Sequence, residues 1–105
     1  MTQEHIALLL DEALLTLEEL ASSCAVSREW VIEQVEAGVL IAQPEADRDP
    51  SHWAFSGREV LRARRLWGIE RDFDATPELA GLVADLFDEL ERLRARLRRA
   101  GMSIE

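Results

Sequence analysis

The chain contains no lysine and no tyrosine, a single cysteine, and only five glycines among its 105 residues. One thiol, Cys24, excludes an internal disulfide framework and a zinc site built on cysteines, and makes a reducing cytoplasm the simplest expected compartment. No apolar run approaches the ~18 residues of a membrane span, and no charged-then-apolar leader is recognisable. The glycines do not have the spacing of a phosphate-binding loop. His5 and His52 are far apart, and neither has a second histidine or a cysteine pair at metal-ligand spacing. No nucleophile stands beside a base. The expectation is therefore a protein that is not an enzyme, with no catalytic residue, no metal and no cofactor.

What is present is enough for a small core. Hydrophobic residues make up 48% of the chain, within the globular range. The length suits one domain, or a small domain plus one long helix. Every base is an arginine. Residues 1–50 carry eleven acids and two arginines, a net −9, whereas residues 51–105 carry ten of each. The whole net charge lies in the N-terminal half, a surface that repels phosphate and favours basic partners.

Residues 1–15 run from polar into Ile6-Ala7-Leu8-Leu9-Leu10 and read as an extended segment or edge strand. Thr16-Leu17-Glu18-Glu19 has the form of a capping box and opens a short helix to about Ser22. Cys24-Ala25-Val26 forms a turn, with Cys24 expected as a small core residue. Ser27 caps a second helix, Arg28–Ala37, stopped by Gly38. Two short helices joined this way make a helix-turn-helix unit. Val39–Pro44 and Trp53–Phe55 are β-like runs either side of the loop Glu45–Ser51 and are expected to pair as a hairpin wing. Trp53 and Phe55 alternate with Ala54, so both should face the core. Ser56-Gly57-Arg58-Glu59 reads as a second capping box, opening a helix with Val60, Leu61, Ala63 and Trp67 among four arginines. Trp67 is expected in the core, and the arginines in surface ion pairs. Phe73-Asp74-Ala75 is a link. Thr76 caps a last helix with Pro77 at its first position.

That last helix, Pro77–Arg99, carries Leu79, Val83, Leu86, Leu90, Leu93 and Leu97 in alternating steps of four and three, a heptad seam. Such a seam wants another helix. The expectation is that Leu79–Leu86 dock on the chain's own core and Leu90–Leu97 on a second copy. Val83, Leu86, Leu90, Leu93 and Leu97 are the candidate dimerisation residues.

The order of these elements resembles the MerR-type winged helix-turn-helix domain. It is more similar still to the CbpM-type chaperone modulators, over about residues 16–99. The stretches that carry the resemblance are Thr16–Leu20, Val26-Ser27, the Glu36–Leu40 turn, Trp53–Phe55, the arginine helix to Leu66, the Pro77 start and the Leu90–Leu97 seam. No single motif is specific; their order and spacing carry the weight. The resemblance implies a mostly α fold, with a winged helix-turn-helix over 1–75, a small β-hairpin wing, and a coiled-coil-like dimerisation helix over 76–105. It also implies binding to the J-domain of a DnaJ-like co-chaperone, which blocks productive engagement of Hsp70.

The second helix departs from a DNA reader. Reading a groove takes arginine, lysine or amide side chains facing base edges, with further bases on phosphates. Here Glu29, Glu33 and Glu36 form one stripe at i, i+4 and i+7, flanked by Trp30, Gln34 and Ala37, and only Arg28 is basic. Three carboxylates along a phosphate-lined groove would oppose binding. J-domains present a basic helix to Hsp70, as a property of that family. The partner-binding candidates are accordingly Glu29, Glu33 and Glu36 for steering, with Trp30 and Ile32 as apolar anchors. A solvated glutamate face and a core role for Trp30 are the plainer readings of the same residues. The alternatives are a MerR-like DNA-binding regulator and a dimeric adaptor for another basic protein.

Overall fold

The computed structural model describes residues 14–101. Strand β1 (Leu14–Thr16) leads into helix α1 (Leu17–Cys24), followed by α2 (Arg28–Glu36), a 3-10 turn (Pro50–His52), β2 (Ala54–Ser56), α3 (Gly57–Phe73) and α4 (Pro77–Arg99). The expected strand character of the N-terminal segment is seen at Leu14–Thr16; His5 and the Ile6–Leu10 run lie outside the described residues.

Local chemistry accounts for most of the helix ends. The Thr16 hydroxyl accepts from the Glu19 N–H at 3.1 Å, and the Glu19 carboxylate accepts from the Thr16 N–H at 2.8 Å, a closed capping box. Ser27 caps α2 through the Trp30 N–H, and Thr76 caps α4 through the Leu79 N–H. Gly38 takes φ +77°, so the Gly38 and Val39 N–H groups fold back onto the Val35 and Gln34 carbonyls and close α2. The second expected box does not form. Ser56 makes no side-chain cap, and Glu59 instead accepts from the Ile41 N–H at 3.0 Å. A tertiary donor wins because Ile41 has lost its strand partner and its N–H needs an acceptor.

The small sheet differs from the expectation in its partner. β2 pairs antiparallel with β1, placing Leu14, Leu15 and Thr16 opposite Ser56, Phe55 and Ala54. The Val39–Pro44 run meets β2 only through a single bridge, Gln43 to Ala54. The wing is therefore a loop closed at its base: β1 takes one edge of β2, and Gln43 bonds the other through Ala54.

Leu17, Leu20, Val31, Leu40, Phe55, Val60 and Leu66 form the centre of the core, contributed by α1, α2, the wing and α3. Trp53 and Phe55 both face inward as their alternation requires, meeting edge to face at 6.4 Å. Helix α3 continues through Gly68 to Phe73, since its Ile69 turn still packs on the core. Cys24 is half-buried, its thiol directed at the Val60 carbonyl, and burial raises its pKa.

The docking of α4 corrects the sequence expectation most clearly. Its buried residues are Ala80, Gly81 and Ala84. Leu79 and Leu86, expected against the chain's own core, are 51% and 61% exposed. At 3.6 residues per turn the leucine seam lies roughly 150° around the helix from the small-residue face. The small face meets the core because α4 approaches closely, and of the residues expected there Val83 is partly buried against it. An added Cβ at Gly81 would stand 2.6 Å from the Val39 Cγ1. The arginines of α3 fasten this arrangement. Arg62 donates to the Val39 carbonyl at 2.6 Å and to Asp85 at 2.9 Å; Arg65 donates to Asp88 and Glu91 at 2.7 and 3.0 Å. The expected ion pairs form at Arg62 and Arg65 and join two helices, whereas Arg64 donates to the Ser23 carbonyl at 3.1 Å.

Candidate functional site

The candidate site is α2 and the loop beside it. Three residues of α2 face inward: Trp30, Val31 and Gln34. Trp30 is 8% exposed, donates its indole N–H to Glu70 at 3.2 Å, and meets Trp67 edge to face at 5.6 Å. It is a core residue and presents little surface to a partner, contrary to its placing as an apolar anchor. The pair divides the burial: Trp67, expected in the core, lies on the outer side of α3 and is 36% exposed. Gln34 is fully buried and its amide closes no hydrogen bond among the described residues, although it lies beside Glu70. Burial, with repulsion from Glu33 as a lesser cause, pushes the Glu70 carboxyl above its ordinary value.

Glu29, Glu33 and Glu36 all point to solvent on the opposite face of α2, and Ile32 sits half-buried beside them. Several of the other acids are paired. Glu18 pairs with Arg28, Asp85 with Arg62, Asp88 and Glu91 with Arg65, and Glu89 with Arg92. None of the three glutamates of α2 forms an ion pair among the described residues. Asp85, Asp88 and Glu91 are paired at the α3–α4 joint, whereas Glu45, Asp74 and Glu78, like the glutamates of α2, form no ion pair among the described residues. No cluster of three or more potential metal ligands occurs among the described residues. None of the described helices is long and apolar enough to cross a membrane.

The wing loop adds residues that the sequence did not single out. Ile32, Val35, Ile41 and Trp53 line a groove of about 760 Å³ between α2 and the loop, together with Glu36, Glu45, Asp47 and Arg48. The loop is held by Asp47: its carboxylate accepts from the Asp49 N–H and contacts His52 Nδ1, both at 2.9 Å, and its carbonyl accepts from the Trp53 indole at 2.7 Å. Asp49 then caps the 3-10 turn through Ser51. Only the pairing of a loop aspartate with His52 five residues on could have signalled this, and it requires a turn that no sequence motif specifies.

These contacts carry a pH dependence. The hydrogen bond to Asp47, then the charges of Asp47 and Asp49, raise the His52 pKa above its ordinary 6.5. That contribution to loop stability is complete below 6.5 and is lost as pH rises through the folded value. Hydrogen bonding to the Asp49 N–H, then to His52, lowers Asp47 below 3.8, so its contribution is present above 3.8 and lost as pH falls through the folded value. Following the His52 ring protons by NMR should show titration above 6.5, and Asp47→Asn should bring the midpoint back down. An unshifted midpoint in the parent chain would remove His52 from the loop's support.

The chain is thus of the helix-turn-helix class, with a closed wing loop and a docked C-terminal helix, and carries acids on the helix where a DNA reader carries bases. Comparison with known proteins narrows it. Residues 15–100 match the family described as MerR HTH family regulatory protein. The chain is 30% identical over 81 residues to the chaperone modulatory protein CbpM of Pseudomonas entomophila (strain L48), an overlap of 77% of each chain. It is 31% identical over 84 residues to the protein of that name from Coxiella burnetii (strain Dugway 5J108-111), covering 80% of this chain and 76% of that one. No solved structure matches it. The chain belongs to the MerR helix-turn-helix family, in its CbpM branch.

Proposed function

We propose that this chain is a chaperone modulator that binds the J-domain of a DnaJ-like co-chaperone through the acidic side of α2 and so hinders its engagement with Hsp70. The observation that carries this reading is the exposed stripe of Glu29, Glu33 and Glu36 on one face of α2, with no ion pair among the described residues. The name of its relatives, chaperone modulatory protein, supports the same class of role. A J-domain offers a basic helix of complementary sign, and occupation of that surface is sufficient for inhibition. The carboxylates set encounter rate and salt dependence, and an apolar contact beside them sets residence time. With Trp30 in the core, Ile32 is the candidate anchor that remains on the surface of α2.

The test is a titration with a J-domain from the same organism at two salt concentrations, with duplex DNA as control. Saturable binding that weakens with salt, without retention of DNA, is the expected result. Specific DNA retention without J-domain binding would establish the regulator reading in its place.

The same proposal includes a homodimer through α4. Its candidate residues are Val83, Leu86, Leu90, Leu93 and Leu97; Leu86, Leu90 and Leu93 are exposed, Leu97 is half-buried, and Val83 is partly buried against the chain's own core. Covering the seam removes apolar surface from water at about 25 cal/mol per Å². Sedimentation should give twice the chain mass for the parent and a monomer for Leu90→Asp; a monomeric parent at high micromolar concentration would refute the dimer.

A further inference from the structure

We infer that the groove between α2 and the wing loop seats one basic amphipathic helix of the partner, its apolar stripe on Ile32, Val35, Ile41 and Trp53 and its bases against the glutamates of α2. The inference rests on the proposed function for the partner's identity and adds the mode of contact and a second set of residues. Three observations converge on it. The groove is open to solvent and its floor is aliphatic and aromatic, with Ile41 53% exposed. Its far wall is built, since the Trp53 indole and His52 hold Asp47 in place. Its charge is lopsided: Glu36, Glu45 and Asp47 line it, the last engaged by His52, against a single base, Arg48.

The spacing favours a helix over a small ligand or an extended peptide. Glu29, Glu33 and Glu36 rise about 10 Å along α2 at ~1.5 Å per residue, the interval at which a second helix repeats its own i, i+4 and i+7 positions. Glu36 lines the groove and Glu29 and Glu33 continue the stripe on the outer face of α2, so a helix whose apolar stripe enters the cleft has its flanking bases toward carboxylates at matching intervals, the helix-in-groove mode of recognition. A phosphate-bearing ligand meets the same carboxylates and is repelled.

The experiment follows the methyl resonances of Ile32, Val35 and Ile41 in the full chain. The ligands are the J-domain, a synthetic amphipathic helix of leucine and arginine, and its leucine–glutamate counterpart. The J-domain and the basic helix should shift these methyls and the acidic helix should not. Ile41→Ser should weaken both productive ligands by about tenfold, as loss of a buried aliphatic anchor does. The Ile41 side chain is more than half exposed and its bond to Glu59 is made by the main chain, so the variant should keep the parent's Tm. Glu45→Arg should weaken both as well, more at low salt. If the J-domain binds and Glu33→Arg weakens it, while Ile41→Ser has no effect and the groove methyls stay still, the inference is overturned and the proposed function stands. If the basic helix fills the groove and the J-domain does not bind, the inferred helix chemistry stands and the proposed function falls. Binding by neither overturns both.

Discussion

Gly81→Val is expected to release α4 from the rest of the chain, at a cost of about 3 kcal/mol or more, since even modest overpacking of a close contact costs ~1–3 kcal/mol. The Cβ alone would come within 2.6 Å of the Val39 Cγ1, and the valine adds two further carbons. Val39 has little room to retreat. It follows the tight closure of α2 at Gly38, and its carbonyl holds Arg62, which in turn holds Asp85 of α4. Chemical denaturation should show the loss, and hydrogen exchange should show lost protection at Ala80–Ala84 with the α1–α2 unit intact. Gly68 supplies the opposite case. Nothing lies within 4 Å of a Cβ added there, and the residue sits inside α3. Gly68→Ala should therefore stabilise by about 0.5–1 kcal/mol, the helix-propensity difference. A stable, fully docked Gly81→Val chain would mean that α4 does not need the close approach.

Reversing the acidic face, by Glu29→Arg, Glu33→Arg and Glu36→Arg together, should lower affinity for the J-domain by about 100-fold at low salt, or ~2.7 kcal/mol. Most of that change should appear in the association rate and shrink as salt screens it. The fold should survive, because these side chains are exposed and form no ion pair among the described residues. Glu33→Arg also removes one source of the repulsion on Glu70, so Glu70 should titrate lower in the variant. Surface plasmon resonance at two salt concentrations, with Tm measured in parallel, separates binding from folding. Unchanged affinity in a folded triple variant would mean that the stripe is a solvated surface and that the proposed contact lies elsewhere.

Much of the architecture was legible where a few adjacent residues carry the instruction. Thr16 with Glu19, Ser27, Gly38, and Thr76 before Pro77 each satisfy or redirect backbone groups within one helical turn. Ser56 with Glu59 has the same local form, yet Glu59 serves Ile41, because an unpaired N–H from another segment competed for the carboxylate. The acidic face of α2 was legible from its i, i+4, i+7 spacing. Its inner face was less so: Trp30 and Gln34 are buried, whereas Val35 and Ile32 remain partly open over the groove. Hydrophobicity alone ranks isoleucine and valine above glutamine for burial, and the angle at which α2 meets α1 and α3 overrides that ranking.

By itself the sequence determined the helix-turn-helix order, the sign of the surface on α2 and the heptad seam of α4, all properties of spacing along one chain. Only the tertiary structure decided which side of α4 meets the core, which strand completes β2, and that the wing loop and α2 enclose a groove. Each of those depends on how closely two distant segments can approach. At Gly81 that distance is set by the absence of a side chain, which no pattern of apolar residues reveals.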